Sequence, residues 1–104
     1  MLQHLNDSDF STEIAKPGVA MVDFWAAWCG PCRRLGPIVE QLANDFDGQA
    51  RIYKVDVEEA QQTAADFGIQ SIPCVLFFKD GQLVDRSVGA VPKGVLERKL
   101  RDLL

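Results

Sequence analysis

The sequence has no cluster of basic residues, a single histidine, only three cysteines and no apolar run long enough to cross a bilayer. Each scarcity removes a class of function. Eleven Lys and Arg, scattered along the chain, face fifteen Asp and Glu, a net charge of −4 that argues against a nucleic-acid partner. Three cysteines are an odd number and too few for a disulfide framework. The longest apolar stretch, Val19 to Cys29, is too short for a membrane span and is interrupted by Asp23, so no membrane role is expected. Met1 to Ala15 carries Asp7, Asp9 and Glu13 where a signal peptide would have a basic start and an apolar block. The cytoplasm is therefore the expected location. Repeats, linkers and low-complexity segments are also missing. The 104 residues are expected to form one domain, 1–104, large enough to bury a core without disulfide staples.

What the chain does have is the pentapeptide Trp28-Cys29-Gly30-Pro31-Cys32. It lies between an apolar run, Val19 to Ala27, and an amphipathic segment starting at Pro31, which reads as strand, tight turn and helix. Two thiols at this spacing can close a small disulfide or share a metal. A zinc site needs two more ligands, and only Cys74 and His4 remain, with no second closely spaced pair. No metal is expected, and in a reducing compartment the pair reads as redox chemistry. Cys29, at the helix start, would face free N–H groups and the positive dipole end, which favour a thiolate. Position assigns it the role of nucleophile and gives Cys32, one turn in, that of resolving thiol. Pro31 suits an early helical position, where its missing N–H has no partner to lose.

Along the rest of the chain, Leu2 to Leu5 reads as a short edge strand. Asn6 to Asp9 offers N-cap candidates for a helix with Phe10 and Ile14 on one side. Val19 to Ala27 reads as a strand buried on both faces. Pro31 to Asp47 carries Leu35, Val39, Leu42 and Phe46 at helical spacing, with Gly48 as a stop and a kink expected at Pro37. Arg51 to Val57 is a strand, and Glu58 to Phe67 a helix with acids in its first turn. Cys74 to Phe78 is a second fully apolar strand, and Asp80-Gly81 a hairpin turn leading into Gln82 to Val88. Pro92 opens a last helix with Leu96, Leu100, Leu103 and Leu104 on one face. The alternation gives an α/β fold, a mixed sheet between helices.

Asp23 stands among Val22, Phe24 and Trp25, so its carboxyl is expected to be buried, with a raised pKa that suits proton transfer near neutrality. Ile72-Pro73, before a buried strand, fits a turn with either a cis or a trans bond. Trp25 reads as core and Trp28 as a shield beside the nucleophile. Lys54, taken alone, is a surface charge, and Arg33 and Arg34 read as a solvated helix face. Cys74 reads as a small buried hydrophobe, unless a turn at Pro73 brings it into exchange with the CxxC.

The pentapeptide, with Val22-Asp23-Phe24-Trp25-Ala26 upstream and Ile72-Pro73 far downstream, resembles the thioredoxin family over nearly the whole chain. The resemblance implies a five-stranded mixed sheet flanked by four helices, and protein-disulfide reduction through Cys29 and Cys32. It further implies that Asp23 serves Cys32 through water, with Lys54 as partner lysine, and that a cis Pro73 packs against the CxxC. Substrate docking would fall to Trp28, Gly30, Pro31, Ile72, Pro73, Val88, Gly89 and Ala90. The implied partners are disulfide-containing proteins and a flavin- and NADPH-dependent thioredoxin reductase, the chain itself being a monomer that binds no cofactor. Two residues depart from the family: Gly36 replaces a usual alanine and Cys74 a usual threonine. An oxidase or isomerase of the same fold would carry histidine before the second cysteine, where Pro31 stands. The rival of a different class is a binding module that holds partners without turnover.

Overall fold

The computed structural model describes residues 2–104. In chain order the elements are β1 (Leu2–Leu5), α1 (Phe10–Ile14), β2 (Val19–Trp25), α2 (Gly30–Asp45), β3 (Ala50–Asp56), α3 (Gln61–Asp66), β4 (Cys74–Lys79), β5 (Gln82–Val88) and α4 (Lys93–Leu103). The sheet order is β1-β3-β2-β4-β5. The first three strands run parallel, β4 is antiparallel to β2, and β5 is antiparallel to β4. This is the expected five-stranded mixed sheet with four helices.

The apolar runs become the inner strands because both sheet faces are covered. Strand alternation sends Ala20, Val22 and Phe24 of β2 into one cluster with Phe10 and Ile14 of α1 and with Phe67 and Ile69 at the end of α3. It sends Val19 and Met21 into the other, against Leu35, Val39 and Leu42 of α2 and Leu96 and Leu100 of α4. Helix α2 continues through Pro37. It ends at Asp45, where the Phe46 N–H closes on the Leu42 carbonyl at 2.9 Å, earlier than the Gly48 stop suggested. In the β4–β5 hairpin both Asp80 (φ 51°) and Gly81 (φ 82°) are left-handed, the I′ geometry that Asp-Gly favours.

Three expectations need correction. Helix α3 begins at Gln61, not Glu58, because the Asp56 carboxylate accepts the Glu58 N–H at 2.9 Å and holds that segment as a turn. The α3 start is capped from a distance. Asp7 accepts the N–H groups of Gln62 (3.3 Å) and Thr63 (2.9 Å) and the Thr63 hydroxyl (2.6 Å), which lowers the Asp7 pKa. Asp7 thus serves α3, not the neighbouring α1 for which it was an N-cap candidate. Leu104 lies past the end of α4 and is exposed, whereas Leu96 and Leu100 are fully buried.

Candidate active site at the end of the central strand

Strand β2 delivers the chain to Trp25, and a turn closed by the Cys29 N–H on the Ala26 carbonyl (3.2 Å) starts α2. Cys29 is the N-cap in extended conformation (φ −91°, ψ 113°), and its carbonyl accepts the Arg33 N–H at 3.2 Å. Its Sγ accepts the Cys32 N–H at 3.2 Å, a cap made by sulfur where an oxygen is usual. The two cysteines are disulfide-bonded, with Cα atoms 5.2 Å apart, and both are buried. When the bond is reduced, the same amide and the open end of α2 stabilise negative charge on Cys29. The Arg33 guanidinium donates to the Ala27 carbonyl at 3.0 Å, so this arginine fastens the helix to the preceding turn and is not merely solvated.

The Ile72–Pro73 bond is cis, which closes the alternative left open by the sequence. The Ile72 carbonyl oxygen lies 3.7 Å from the Cys29 sulfur, and Ile72 packs with Cys29, Cys32 and Ala26. The Gly89 N–H donates to the Pro73 carbonyl at 2.9 Å, which brings Val88, Gly89 and Ala90 to the same rim. Trp28 is 67% exposed and Val88 53%, large values for apolar side chains. These residues, with the half-exposed Gly30 and exposed Pro31 of α2, surround the disulfide with apolar surface.

Beneath the site Asp23 is fully buried, and neither carboxyl oxygen has a hydrogen-bond partner among the described residues. Burial pushes its pKa up to about 7, against the opposing pull of the Lys54 charge. Lys54 is the register partner of Asp23 on β3. Its ammonium sits 4.3 Å above the Trp25 ring, so it acts on the carboxyl through space and not through a hydrogen bond. Trp25, expected in the core, is only half-buried.

Cys74 is buried opposite Phe24 on β4, in the cluster with Leu76 and Phe78, and burial raises its thiol pKa. Strand alternation turns it to the face away from α2, and it does not share the cluster of Cys29 and Cys32. One contact lay outside the sequence reading. The Trp28 indole N–H donates to the Glu58 carboxylate at 2.7 Å. The signal for it was Asp56, whose turn frees Glu58 from α3 and presents it to the site. Among the described residues no helix is long and apolar enough to cross a membrane, and no three His, Cys, Asp or Glu side chains gather as metal donors.

Compared with known proteins, the family description Thioredoxin matches residues 1–102. The chain belongs to the thioredoxin family. It is 52% identical over 95 residues to Thioredoxin 2 of Chlorobaculum tepidum, across 90% of this chain and 87% of that protein. It is 52% identical over 89 residues to a thioredoxin of Staphylococcus epidermidis, across 86% and 85% of the two chains. The crystal structure of Malassezia sympodialis thioredoxin superposes with a TM-score of 0.90 at 35% identity, covering 98% of this chain and 92% of that one. Thioredoxins are thiol-disulfide oxidoreductases, and Cys29 and Cys32 are the pair at disulfide distance that supports dithiol/disulfide exchange here.

Proposed function

We propose that the chain is a general protein-disulfide reductase, a single unit over 1–104 that works as a cytoplasmic monomer. The observation that carries this reading is Cys29 as the N-cap of α2, its sulfur held by the Cys32 amide and bonded to Cys32, at the end of the strand that carries the buried, unpaired Asp23. In the reduced protein the Cys29 thiolate attacks one sulfur of a substrate disulfide and expels the other as thiolate. Asp23 takes the Cys32 proton, aided by its raised pKa, and Lys54 moderates that pKa by its charge. The Cys32 thiolate then attacks Cys29, releases the second substrate thiolate and closes the Cys29–Cys32 disulfide. Two electrons have left the protein for the substrate.

Substrates dock on the apolar rim of Trp28, Gly30, Pro31, Ile72, Pro73 and Val88 to Ala90, with Ile72 offering backbone groups to an extended peptide. A flavin- and NADPH-dependent thioredoxin reductase restores the dithiol, and the chain itself binds no cofactor. Pro31, which cannot supply the positive charge that a histidine would, favours a reductant over an oxidase. The deciding experiment is insulin reduction coupled to such a reductase and NADPH. Turnover that disappears in Cys29→Ser supports the reading; binding without NADPH consumption would replace it with that of a binding module.

A further inference from the structure

Each cycle loads Asp23 with a proton that must leave again, yet the carboxyl is wholly buried and has no hydrogen-bond partner among the described residues. The sheet register shows where an exit lies. His4, Lys54 and Asp23 are successive cross-strand partners on β1, β3 and β2, so they share the face that lies under the first half of α2. A cavity of about 310 Å³ opens between that face and the helix, walled by His4, Lys54 and Trp25 on one side and Cys32, Gly36 and Glu40 on the other. Asp23 itself is not in the cavity wall but sits beside it on the neighbouring strand. Its neighbour across the strand, Lys54, its neighbour two residues along, Trp25, and the thiol it is proposed to serve, Cys32, are all in the cavity wall.

Two features keep this space open and polar. A Cβ built on Gly36 meets nothing within 4 Å, so the glycine answers no close approach and leaves room that a side chain could fill. The Trp25 indole nitrogen is buried without a partner, and the Lys54 ammonium is drawn over the same ring. The charged and titratable groups on this face are Lys54 from β3, Cys32, Arg33 and Glu40 from α2, and His4 from β1. From β4 the residue opposite Asp23 is the apolar Val75, with Cys74 turned to the other face, and α4 contributes Leu96 and Leu100.

We propose that this cavity is the port through which Asp23 exchanges its proton with solvent, and that Gly36 makes it wide enough to admit small carboxylic acids. The proposal rests on the role of Asp23 as the base for Cys32. Asp23 accepts the proton as Cys32 becomes a thiolate, then passes it to a solvent or buffer base standing in the port, which restores the carboxylate. If Asp23 is removed, a small carboxylate entering by the same route takes the Cys32 proton in its place.

The test uses an aromatic disulfide whose two thiols absorb on release, the first when Cys29 attacks and the second when Cys32 resolves. Asp23→Ala should slow only the second release. Formate should restore that step saturably by about tenfold, a modest part of the range typical of general base catalysis, and trimethylacetate should not. Adding Gly36→Met, or separately His4→Trp from the opposite wall, should abolish the formate effect while each protein keeps its denaturation midpoint near that of Asp23→Ala. Two independent walls keep the test valid if one variant fails to fold. Rescue by trimethylacetate equal to that by formate, rescue that survives both fillings, or no rescue at all would overturn the port. A second release unaffected by Asp23→Ala would instead overturn the role of Asp23 itself.

Discussion

On one face of β2, Ala20, Val22 and Phe24 sit within a group in which Phe10, Phe24, Phe67 and Phe78 meet with ring centroids 5.4 to 6.4 Å apart. On the other face the strand begins the same way, with Val19 and Met21 under α2 and α4, but then presents Asp23 and the half-buried Trp25. Among the described residues, the buried side-chain polar atoms that lack a hydrogen-bond partner belong to those two. One strand therefore does two jobs, split by its two-residue period. The aromatic face contributes packing, while the opposite face carries a buried carboxyl that has no hydrogen-bond partner and whose pKa burial raises. The chemistry stands where β2 meets the start of α2, at the end of the mismatched face.

Breaking the aromatic face should give the largest effect on stability. Phe24→Ala or Phe78→Ala removes a buried ring and leaves a cavity, with an expected loss of about 3–5 kcal/mol in denaturant melts. Release of the first thiol by Cys29, normalised to folded protein, should be unchanged. A comparable loss of that rate would mean that the two faces are not separable.

Next comes the mismatched face. With a folded pKa of about 7 and an unfolded value of about 3.9, Asp23 keeps its proton in the folded state while the unfolded chain ionises. Below about pH 4 both states are protonated and there is no penalty. As pH rises from about 4 to about 7 stability falls, and above that the loss is constant. Against Asp23→Ala the wild type should therefore lose at most about 4 kcal/mol across this window, some three pKa units at about 1.36 kcal/mol each. Parallel pH profiles for the two proteins would show that the carboxyl is not held neutral by burial.

Most of this comparison was legible in the sequence. Val19 to Trp25 is apolar apart from Asp23, so a doubly buried strand carrying one unpaired acid follows from the residues alone, as do α2 from its i, i+4 stripe and the β4–β5 turn from Asp80-Gly81. Two of the misreadings share a cause. Asp7 caps a helix more than fifty positions away, and Asp56 diverts Glu58 from α3 into a turn. In both cases an aspartate made a hydrogen bond that local pattern does not specify. Gly36 was legible only as a departure from the alanine usual in the family. Its meaning as open space required the sheet register that places His4 and Lys54 opposite it. Lys54, taken alone, read as a surface charge and was tied to Asp23 only through the family resemblance; its seat over Trp25 was not legible.

A smaller effect is expected at Cys74, which sharpens the comparison by placing a thiol on the aromatic face. Cys74→Thr sets a hydroxyl beside Phe24 and Phe78 and should lower stability by about 1–3 kcal/mol. Release of both thiols from the aromatic disulfide should stay at wild-type rates, because the side chain points away from α2. A neutral alkylating reagent should label Cys74 of the oxidised protein only after denaturant is added. Fast labelling of the native protein, or a disulfide from Cys74 to Cys29 or Cys32 in peptide maps, would place this residue on the reactive face instead.

The smallest effect concerns Glu58, which belongs to neither face and touches the site only through the exposed edge of Trp28. A hydrogen bond between exposed groups adds little to folding, so the denaturation midpoint of Glu58→Ala should match that of wild type. What the bond fixes is the orientation of an indole that is two-thirds exposed and stands beside Cys29. Its loss should let the ring sample other rotamers, raising KM for a protein disulfide while kcat holds, since the role proposed for the ring is docking and not sulfur exchange. Iodide quenching can follow this directly, because Trp28 is exposed whereas Trp25 is half-buried with its indole nitrogen fully covered. Glu58→Ala should make Trp28 more quenchable, and Glu58→Gln, which keeps an acceptor for the indole N–H, should restore both KM and a wild-type environment. An iodide effect equal in the two variants would mean that the carboxylate acts by repelling the anion and does not hold the ring. Unchanged KM in Glu58→Ala would then confine this residue to the surface.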